Sequence, residues 1–319
     1  MTAWIGHDDN LRTFSSAMAL GKLHHGWILA GLRGLGKAGF ARKAAAMLID
    51  PMAQHGALIA RGSHPDLITI MRQPKEQPKE GEEADPAAEL KRSIDVNQIR
   101  NLQMRLTTRP GLSDKRAIVL DAADDLDRNA ANALLKCLEE PPTGTYFFLV
   151  SHSSDRLLPT IRSRCQMLRF DPLNTEQMSN ALEQVTADLD AVSLTALVQA
   201  GAGSPGQALE FLGLSMELLE ADMAQIIETG DIDNAIRSAL ANKLSLKSAQ
   251  ARYEAFLRRA PQVIADKARN MDATFVLPAI DTWEAANTLA ARAVALSLDK
   301  PSVVMQMGTL LASIQTHKH

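Results

Sequence analysis

A glycine-rich loop is the first segment whose residues could do chemistry. The stretch GLRGLGK, residues 31–37, follows a short apolar run and precedes an alanine-rich segment with helical character. Gly31, Gly34 and Gly36 would let backbone N–H groups turn inward, and Lys37 would add a positive charge where a helix begins. This order of strand, glycine loop and helix predicts a phosphate-binding loop, and the alternative is a glycine turn that binds nothing.

Two requirements of nucleotide hydrolysis are missing. The residue after the lysine is Ala38, where a Ser or Thr hydroxyl would hold Mg²⁺. Asp121 closes the apolar run AIVLD and matches an acid that helps to hold Mg²⁺, but Ala122 follows it where a Glu would polarise the attacking water. Asp124 and Asp125 are predicted to form a solvated helix N-terminus rather than to replace that Glu. Hydrolysis by this chain is not expected, and nucleotide binding is left open.

The third segment with possible chemistry is the triplet Ser163-Arg164-Cys165, at the end of a predicted short helix over residues 157–164. Taken alone, such a triplet predicts a surface charge next to a small packed cysteine. The segments that accompany the triplet in the chain change this interpretation.

Alternating strand-like and helix-like segments surround these residues up to about residue 171. The predicted strands and helices are those over residues 27–30, 39–49, 67–70, 95–106, 117–121, 128–139, 145–151, 157–164 and 167–170. Such alternation predicts an α/β fold with a doubly wound parallel sheet. Only helical periodicity follows, so we expect an α/β domain over 1–171, a small helical domain over 172–212 and a helical C-terminal domain over 213–319.

A charged insertion interrupts the first domain at residues 71–93. It contains three prolines, five basic and six acidic residues, and no aromatic or β-branched side chain. Because it can bury little apolar area against its ordering entropy, we predict a mobile, solvated segment.

Composition narrows the class of protein. The chain has 319 residues, and its 34 basic and 37 acidic residues give a net charge of −3, which does not fit a polybasic nucleic-acid or membrane binder. The N-terminal segment lacks the apolar core of a signal peptide, and no apolar run is long enough to span a bilayer. Two cysteines exclude a four-cysteine zinc site and fit a reducing compartment. We predict a soluble cytoplasmic protein that does not bind a membrane.

Six segments carry a resemblance to a known family, namely HHGWILAGLRGLGKAGFA, SHPDL, IDVNQIRNLQ, KRAIVLDAADDLDRNAANALLKCLEEPP, YFFLVSHSSDRLLPTIRSRC and GAGSPGQAL. In their order and spacing they resemble the bacterial clamp-loader subunits of the AAA+ family, and most closely their delta-prime branch. The resemblance covers residues 1–210 well, whereas residues 211–319 match only in length and helical character.

The resemblance implies a RecA-like AAA+ domain, a helical lid and a helical collar that joins subunits of a pentameric ring. In that family the ring contains tau/gamma ATPase subunits and a delta subunit, and it uses ATP to place a sliding clamp on primed DNA. The delta-prime member is implied to be a stator without hydrolytic activity of its own, an accessory part of the DNA polymerase III holoenzyme. Arg164, with Ser163 and Cys165, matches the arginine finger that reaches a neighbouring ATPase site in trans.

Departures from the family pattern bear on cofactors. Residues 48–63 contain no cysteine where many relatives carry a zinc module, so we predict no zinc and no other bound metal. Gln207 stands where ATP-binding relatives have a nucleotide-sensing arginine. Two alternatives to the stator are kept, namely an ATP-hydrolysing motor subunit of the same loader and a module that binds ATP without cleaving it.

Overall fold

The computed structural model describes residues 5–76, 89–186, 189–269 and 271–314. The chain divides into two compact units, Met1–Pro172 and Leu173–His319. This division falls next to the domain boundary predicted near residue 171. The further separation of a lid over 172–212 from a collar over 213–319 stays a prediction.

A five-stranded sheet forms the centre of the first unit. Its strand order is β2-β3-β4-β1-β5, and all four neighbouring pairs are parallel. The strands are β1 (Gly26–Ala30), β2 (Leu67–Ile70), β3 (Arg116–Asp121), β4 (Thr145–Ser151) and β5 (Gln166–Arg169). With the helical second unit, this sheet confirms the predicted fold class of an α/β module followed by an all-α region.

Helices cover both faces of the sheet. Alternate side chains of β1 enter two separate apolar clusters, with Ile28 on one side and Trp27 and Leu29 on the other. Continuous burial of this kind is typical of parallel strands. The helices of this unit are α1 (Asp8–Ala19), α2 (Lys37–Ile49), α3 (Gly56–Ala60), α4 (Val96–Leu106), α5 (Arg128–Glu139) and α6 (Pro159–Arg162).

Local sequence signals set the ends of α4 and α5. A capping box sets the start of α4, because the Asp95 carboxylate accepts from the Gln98 backbone N–H at 3.2 Å and the Gln98 side chain accepts from the Asp95 N–H at 3.3 Å. Helix α5 begins after its N-cap Asp127 and ends at Glu139, two residues before the first of two prolines.

Helix α1 was not predicted from the sequence, because most of its residues are polar. Its anchor is Phe14, which is fully buried and lies 5.5 Å from the Trp27 ring, 6.4 Å from the Phe40 ring and 5.7 Å from the Phe148 ring. Edge-on and tilted packing of these rings adds specific contacts to their burial. One aromatic residue therefore attaches this helix to the sheet.

The second unit is helical throughout its described residues, as predicted. Buried ion pairs reinforce its core, with Arg237 Nε donating to Asp231 at 2.9 Å and Arg259 Nε donating to Glu220 at 2.5 Å. Its helices are α7 (Thr175–Glu183), α8 (Ala191–Gly201), α9 (Pro205–Glu210), α10 (Met216–Thr229), α11 (Ala235–Ser245), α12 (Gln250–Ala268), α13 (Ala273–Ala295) and α14 (Lys300–Ser313). Within the described residues, no helix combines the length and the apolar character that crossing a bilayer requires.

The two ends of the 71–93 insertion pair with each other. The Lys75 N–H donates to the Glu89 carbonyl at 2.8 Å, and the Lys91 N–H donates to the Gln73 carbonyl at 2.7 Å. Residues 77–88, the larger part of the segment predicted to be mobile, lie outside the described residues, so mobility stays a prediction.

A buried aspartate ties β2 to a distant loop. Asp66 is fully buried, and its carboxylate accepts from the backbone N–H groups of Gly111 at 2.7 Å, Leu112 at 2.8 Å and Ser113 at 3.0 Å. Burial alone would raise its pKa, but these N–H groups and the nearby Arg116 guanidinium lower the pKa below the ordinary value. The ionised carboxylate is therefore part of what holds the 111–113 loop against the strand.

We predict that Asp66→Asn lowers the free energy of unfolding at pH 7 by about 3 kcal/mol, because an amide nitrogen would face backbone N–H donors and Arg116 would lose its buried partner. The pKa of Asp66 is lower in the folded state than in the unfolded state. The stabilisation by its ionised carboxylate is therefore complete above about pH 4 and is lost as the pH falls further. Denaturant unfolding at several pH values measures the difference between wild type and variant.

The matched control is Asp114→Asn, a change at an exposed carboxylate of the same loop. Its stability should stay close to that of the wild type at every pH. If wild type and Asp66→Asn differ by the same amount at pH 7 and at pH 3, the ionised carboxylate does not hold the loop.

Candidate functional site

The glycine loop leaves the carboxyl end of β1 and packs closely against the end of β5. Gly31 has φ 155°, and a Cβ atom there would lie 2.2 Å from the Phe170 carbonyl oxygen, so no side chain fits. Gly34 and Gly36 have φ of 84° and 76°, the left-handed region that glycine adopts without strain. The loop therefore requires glycine at these positions, and α2 begins at Lys37, two residues before the predicted start of the helix.

Lys37 is the first residue of α2, and its side chain turns back onto the loop. It is 2% exposed, and its Nζ donates to the Gly31 carbonyl at 2.6 Å and to the Leu32 carbonyl. Burial lowers the pKa of this ammonium to about 8, against the opposing effect of the carboxylates of Asp124 and Asp121. The cation that would bind a phosphate is held by the loop itself.

Asp121 lies at the carboxyl end of β3, as predicted, but the prediction for Asp124 was wrong. Asp124 does not lie at a solvated helix N-terminus: its carboxylate accepts from Ser151 Oγ at 2.8 Å and also from the backbone N–H groups of His152 and Ser153. It thus connects a short 3₁₀ turn after β3 to the end of β4. Asp125 likewise pairs with Arg72 at 3.0 Å, so neither acid is placed as a substitute for the missing Glu.

Two histidines near the loop escaped the sequence analysis. His152 follows β4, and burial together with the charge of Lys37 lowers its pKa. His7 is 5% exposed, its ring lies 4.7 Å from that of Phe170, and its Nε2 has no hydrogen-bond partner among the described residues. Burial lowers the pKa of His7 as well. His152 lies inside the segment YFFLVSHSSDRLLPTIRSRC and His7 lies outside all the segments quoted above, and neither was singled out as a site residue.

The triplet Ser163-Arg164-Cys165 connects α6 to β5. Ser163 is the C-cap residue of α6, and its Oγ donates to the Thr160 carbonyl at 3.1 Å. The Cys165 sulfur lies 2.9 Å from the point where a Cβ on Gly26 would stand, and burial raises the pKa of its thiol to about 12. Cys165 is therefore a packed, protonated residue beside the start of β1 rather than a nucleophile.

The Arg164 guanidinium is held by three acceptors. Its Nη2 pairs with Glu139 Oε1 at 2.6 Å, and its Nη1 donates to the Thr160 carbonyl at 2.8 Å and to Ser163 Oγ at 3.4 Å. The Arg164 side chain is 33% exposed. The arginine is thus both fixed in orientation and accessible from outside the chain.

The glycine loop lies at the carboxyl edge of the sheet, where the parallel strands end, and Arg164 lies at the amino edge, where they begin. β1 and β5 are parallel neighbours, with Trp27 opposite Gln166 and Ala30 opposite Arg169. The loop follows the carboxyl end of β1, whereas Arg164 precedes the amino end of β5. Five strand residues separate the two edges by about 16 Å.

The remaining sequence-predicted positions are ordinary in structure. Gln207 lies in the first turn of α9, where its backbone N–H donates to Ser204 Oγ at 3.3 Å. Among the residues that the structure describes, no group of three or more His, Cys, Asp or Glu side chains is arranged to hold a metal ion. The absence of zinc stays a prediction.

Comparison with known proteins gives one family. The model of the family described as DNA polymerase III, delta subunit, matches residues 6–174. The DNA polymerase III subunit delta' of Pseudomonas aeruginosa is 32% identical over 213 residues, 64% of this chain and 60% of that protein. The subunit delta' of Escherichia coli is 35% identical over 153 residues, 48% of this chain and 41% of that protein.

Gamma subunits are also similar. The DNA polymerase III subunit gamma of Buchnera aphidicola subsp. Schizaphis graminum is 30% identical over 227 residues, 67% of this chain and 58% of that protein. Among solved structures, a gamma subunit-related protein of Thermotoga maritima is 15% identical with a TM-score of 0.44, covering 94% of this chain and 98% of that one.

The aligned regions span from about two fifths to three fifths of these three curated relatives' own lengths. The family match itself includes the glycine loop, Asp121 and the Ser163-Arg164-Cys165 triplet, and it extends over more than half of the chain. The chain therefore belongs to the DNA polymerase III delta subunit family.

Proposed function

We propose that this chain is a non-hydrolysing stator subunit of a DNA polymerase III clamp loader and that it supplies Arg164 in trans to a neighbouring ATPase subunit. The observation that carries the proposal is the position of Arg164 at the sheet edge opposite its own glycine loop. An oriented guanidinium there, on a side chain that is 33% exposed, can serve a site on another subunit but not the site on its own chain. Such a cation stabilises charge that develops during phosphoryl transfer.

The state of the chain's own nucleotide site supports the stator role. Ala38 offers no hydroxyl to Mg²⁺, Ala122 offers no carboxylate to a water, and Lys37 is engaged by loop carbonyls. Asp124, an acid that could compensate, is engaged by the end of β4. Each change removes a separate part of the hydrolytic apparatus, so recovery of activity would need several substitutions at once.

The alternative is a subunit of the same loader that binds or hydrolyses ATP itself. What supports this alternative is that Gly34 and Gly36 have positive φ and that the N–H groups of a helix start, which attract anions, follow the loop. Titration of the isolated chain with a fluorescent ATP analogue separates a binding module from a chain without affinity for nucleotide.

The isolated chain should show no Mg²⁺-dependent ATP turnover above background, because metal binding and water activation are both impaired. The measurement is steady-state phosphate release by the purified chain, and a Lys37→Ala variant serves as the control for contaminating ATPases. A turnover on the order of 1 s⁻¹ that Lys37→Ala abolishes would establish a motor subunit instead.

The partners we propose are the tau/gamma ATPase subunits and the delta subunit in a pentameric ring, with the sliding clamp and primed DNA acting through the complex. A groove of about 460 Å³ between α4 and α5 supports a contact with DNA. It is lined by two cations, three amides and no carboxylate, namely Arg100, Lys136, Gln103, Asn129 and Asn132, together with Val96 and Ala133. Such a lining offers cations and side-chain amides to the phosphates of a nucleic acid.

Replacing Arg100 and Lys136 by Ala should weaken binding of the assembled loader to primed DNA and reduce the salt dependence of that binding. Each lost phosphate contact lowers the slope of log K against log salt by about 0.9, so the double variant should lose roughly 2 in slope. Fluorescence anisotropy at several salt concentrations, with clamp and a non-hydrolysable ATP analogue, measures both effects.

The control for the groove replaces Lys22 and Arg61, two exposed cations outside it, so that the net charge changes equally. It should bind DNA as the wild type does. Equal slopes for both double variants would mean that the groove does not contact DNA.

Arg164→Ala should leave the chain folded and incorporated into the loader but lower the ATPase and clamp-loading rates at the one site that adjoins this subunit. A finger in trans contributes about 10³–10⁵ in rate at its own site in related enzymes. Arg164→Lys should rescue poorly, because an ammonium keeps the charge but not the planar fork. The measurement is steady-state ATPase of the reconstituted loader with clamp and primed DNA.

Arg162→Ala is the matched control. This arginine lies two residues away, is 40% exposed and pairs with Asp155 at 3.4 Å. It should behave as the wild type. Normal assembly with wild-type hydrolysis in Arg164→Ala would instead make Arg164 an ordinary surface residue and end the trans-finger proposal.

A further inference from the structure

We infer that Glu139 is a positioning residue for Arg164, holding the guanidinium in the orientation from which it acts on the neighbouring subunit. This inference rests on the proposed trans role of Arg164. It adds a residue from α5, 25 positions earlier in the chain, to a site otherwise formed by the triplet.

The contacts of Arg164 are built from two helix ends. Glu139 is the last residue of α5, whereas Thr160 and Ser163 belong to α6 and its end. The Glu139 carboxylate and the Thr160 carbonyl accept from different terminal nitrogens of the guanidinium, at 2.6 and 2.8 Å. Because these two acceptors take separate nitrogens, they fix the rotation of the guanidinium plane as well as its location.

The base of Glu139 is itself rigid. The preceding residue, Leu138, is 1% exposed, and its carbonyl is bonded to His25 Nε2 at 3.0 Å. His25 directly precedes β1, so the end of α5 is attached to the central sheet. Ile161, which is 1% exposed, anchors α6 by burying its side chain in the same apolar cluster as Leu138. The acceptors of Arg164 are therefore fixed relative to the strands.

The exposure of the pair separates a positioning role from a folding role. The side chains are 33% exposed in Arg164 and 47% in Glu139, and pairs this accessible add little to folding stability. A free arginine side chain samples many rotamers, and an ion pair with defined geometry removes that freedom before the neighbour's site is engaged. Glu139 thus contributes to catalysis in the neighbouring subunit rather than to the stability of the fold.

The test uses the reconstituted loader with clamp and primed DNA, and it separates kcat from KM for ATP. Glu139→Ala should lower the Arg164-dependent part of kcat several-fold while KM, subunit assembly and the melting temperature stay unchanged. Glu139→Gln, which keeps the shape and an acceptor oxygen but not the charge, should give an intermediate value. Glu140→Ala, at the adjacent exposed carboxylate, is the matched control and should equal the wild type.

A double variant makes the assignment specific. In an Arg164→Ala background, Glu139→Ala should cause no further loss, because a residue that acts only through Arg164 has nothing left to position. A further loss there would show a separate structural role and overturn the inference, as would wild-type or raised ATPase in both Glu139→Ala and Glu139→Gln.

The variants of Arg164 and Glu139 distinguish an error in the finger role of Arg164 from an error in the positioning role of Glu139. If Arg164→Ala itself leaves the ATPase at the wild-type rate, the stator's finger role is wrong and the role of Glu139 is wrong with it. If Arg164→Ala lowers the rate but neither Glu139 variant does, the finger role stands and only the positioning role is lost.

Discussion

The polarity of the parallel sheet is the constraint on which both candidate sites depend. β1 and β5 run side by side in the same direction, so whatever follows β1 lies at one edge and whatever precedes β5 lies at the other. The glycine loop and Arg164 are therefore held apart by the length of the strands, whatever rotamer the arginine adopts. A chain built in this way separates the site that would bind a nucleotide from the residue that would act on one.

Contacts of Lys37 within the loop explain how the glycine loop keeps its form without a hydroxyl at Ala38 or a carboxylate at Ala122. A buried ammonium is costly unless it is hydrogen-bonded, and the Gly31 and Leu32 carbonyls accept from Lys37. Asp121 and Asp124 provide compensating negative charge. Asp124 in turn holds the end of β4 through Ser151. These charged groups now stabilise the carboxyl edge of the sheet, which gives them a structural role independent of any nucleotide.

The sequence predicted the strands and the ends of α4 and α5 well, because apolar runs, a capping box and paired prolines are local signals. It missed α1, whose attachment depends on one buried ring, Phe14. It also missed contacts between residues far apart in the chain: Asp66 accepts from residues 45–47 positions later, and Glu139 pairs with Arg164 across 25. The candidate site residues could be named from motifs, but their partners are set by the fold.

The three residues of the triplet differ in what they contribute. Ser163 is the C-cap of α6, and its Oγ accepts a long hydrogen bond from Arg164. The Cys165 sulfur packs against Gly26, where a Cβ atom would leave no room for it. Together they fix the backbone on both sides of Arg164, between a short helix and the first residue of β5. The guanidinium donates to one acceptor on α5, Glu139, and to another on α6, the Thr160 carbonyl. A planar fork reaches both acceptors at once, whereas a single ammonium would reach them less well. The same geometry that fixes the arginine leaves a third of its side chain open to the outside, on the edge of the sheet away from its own loop.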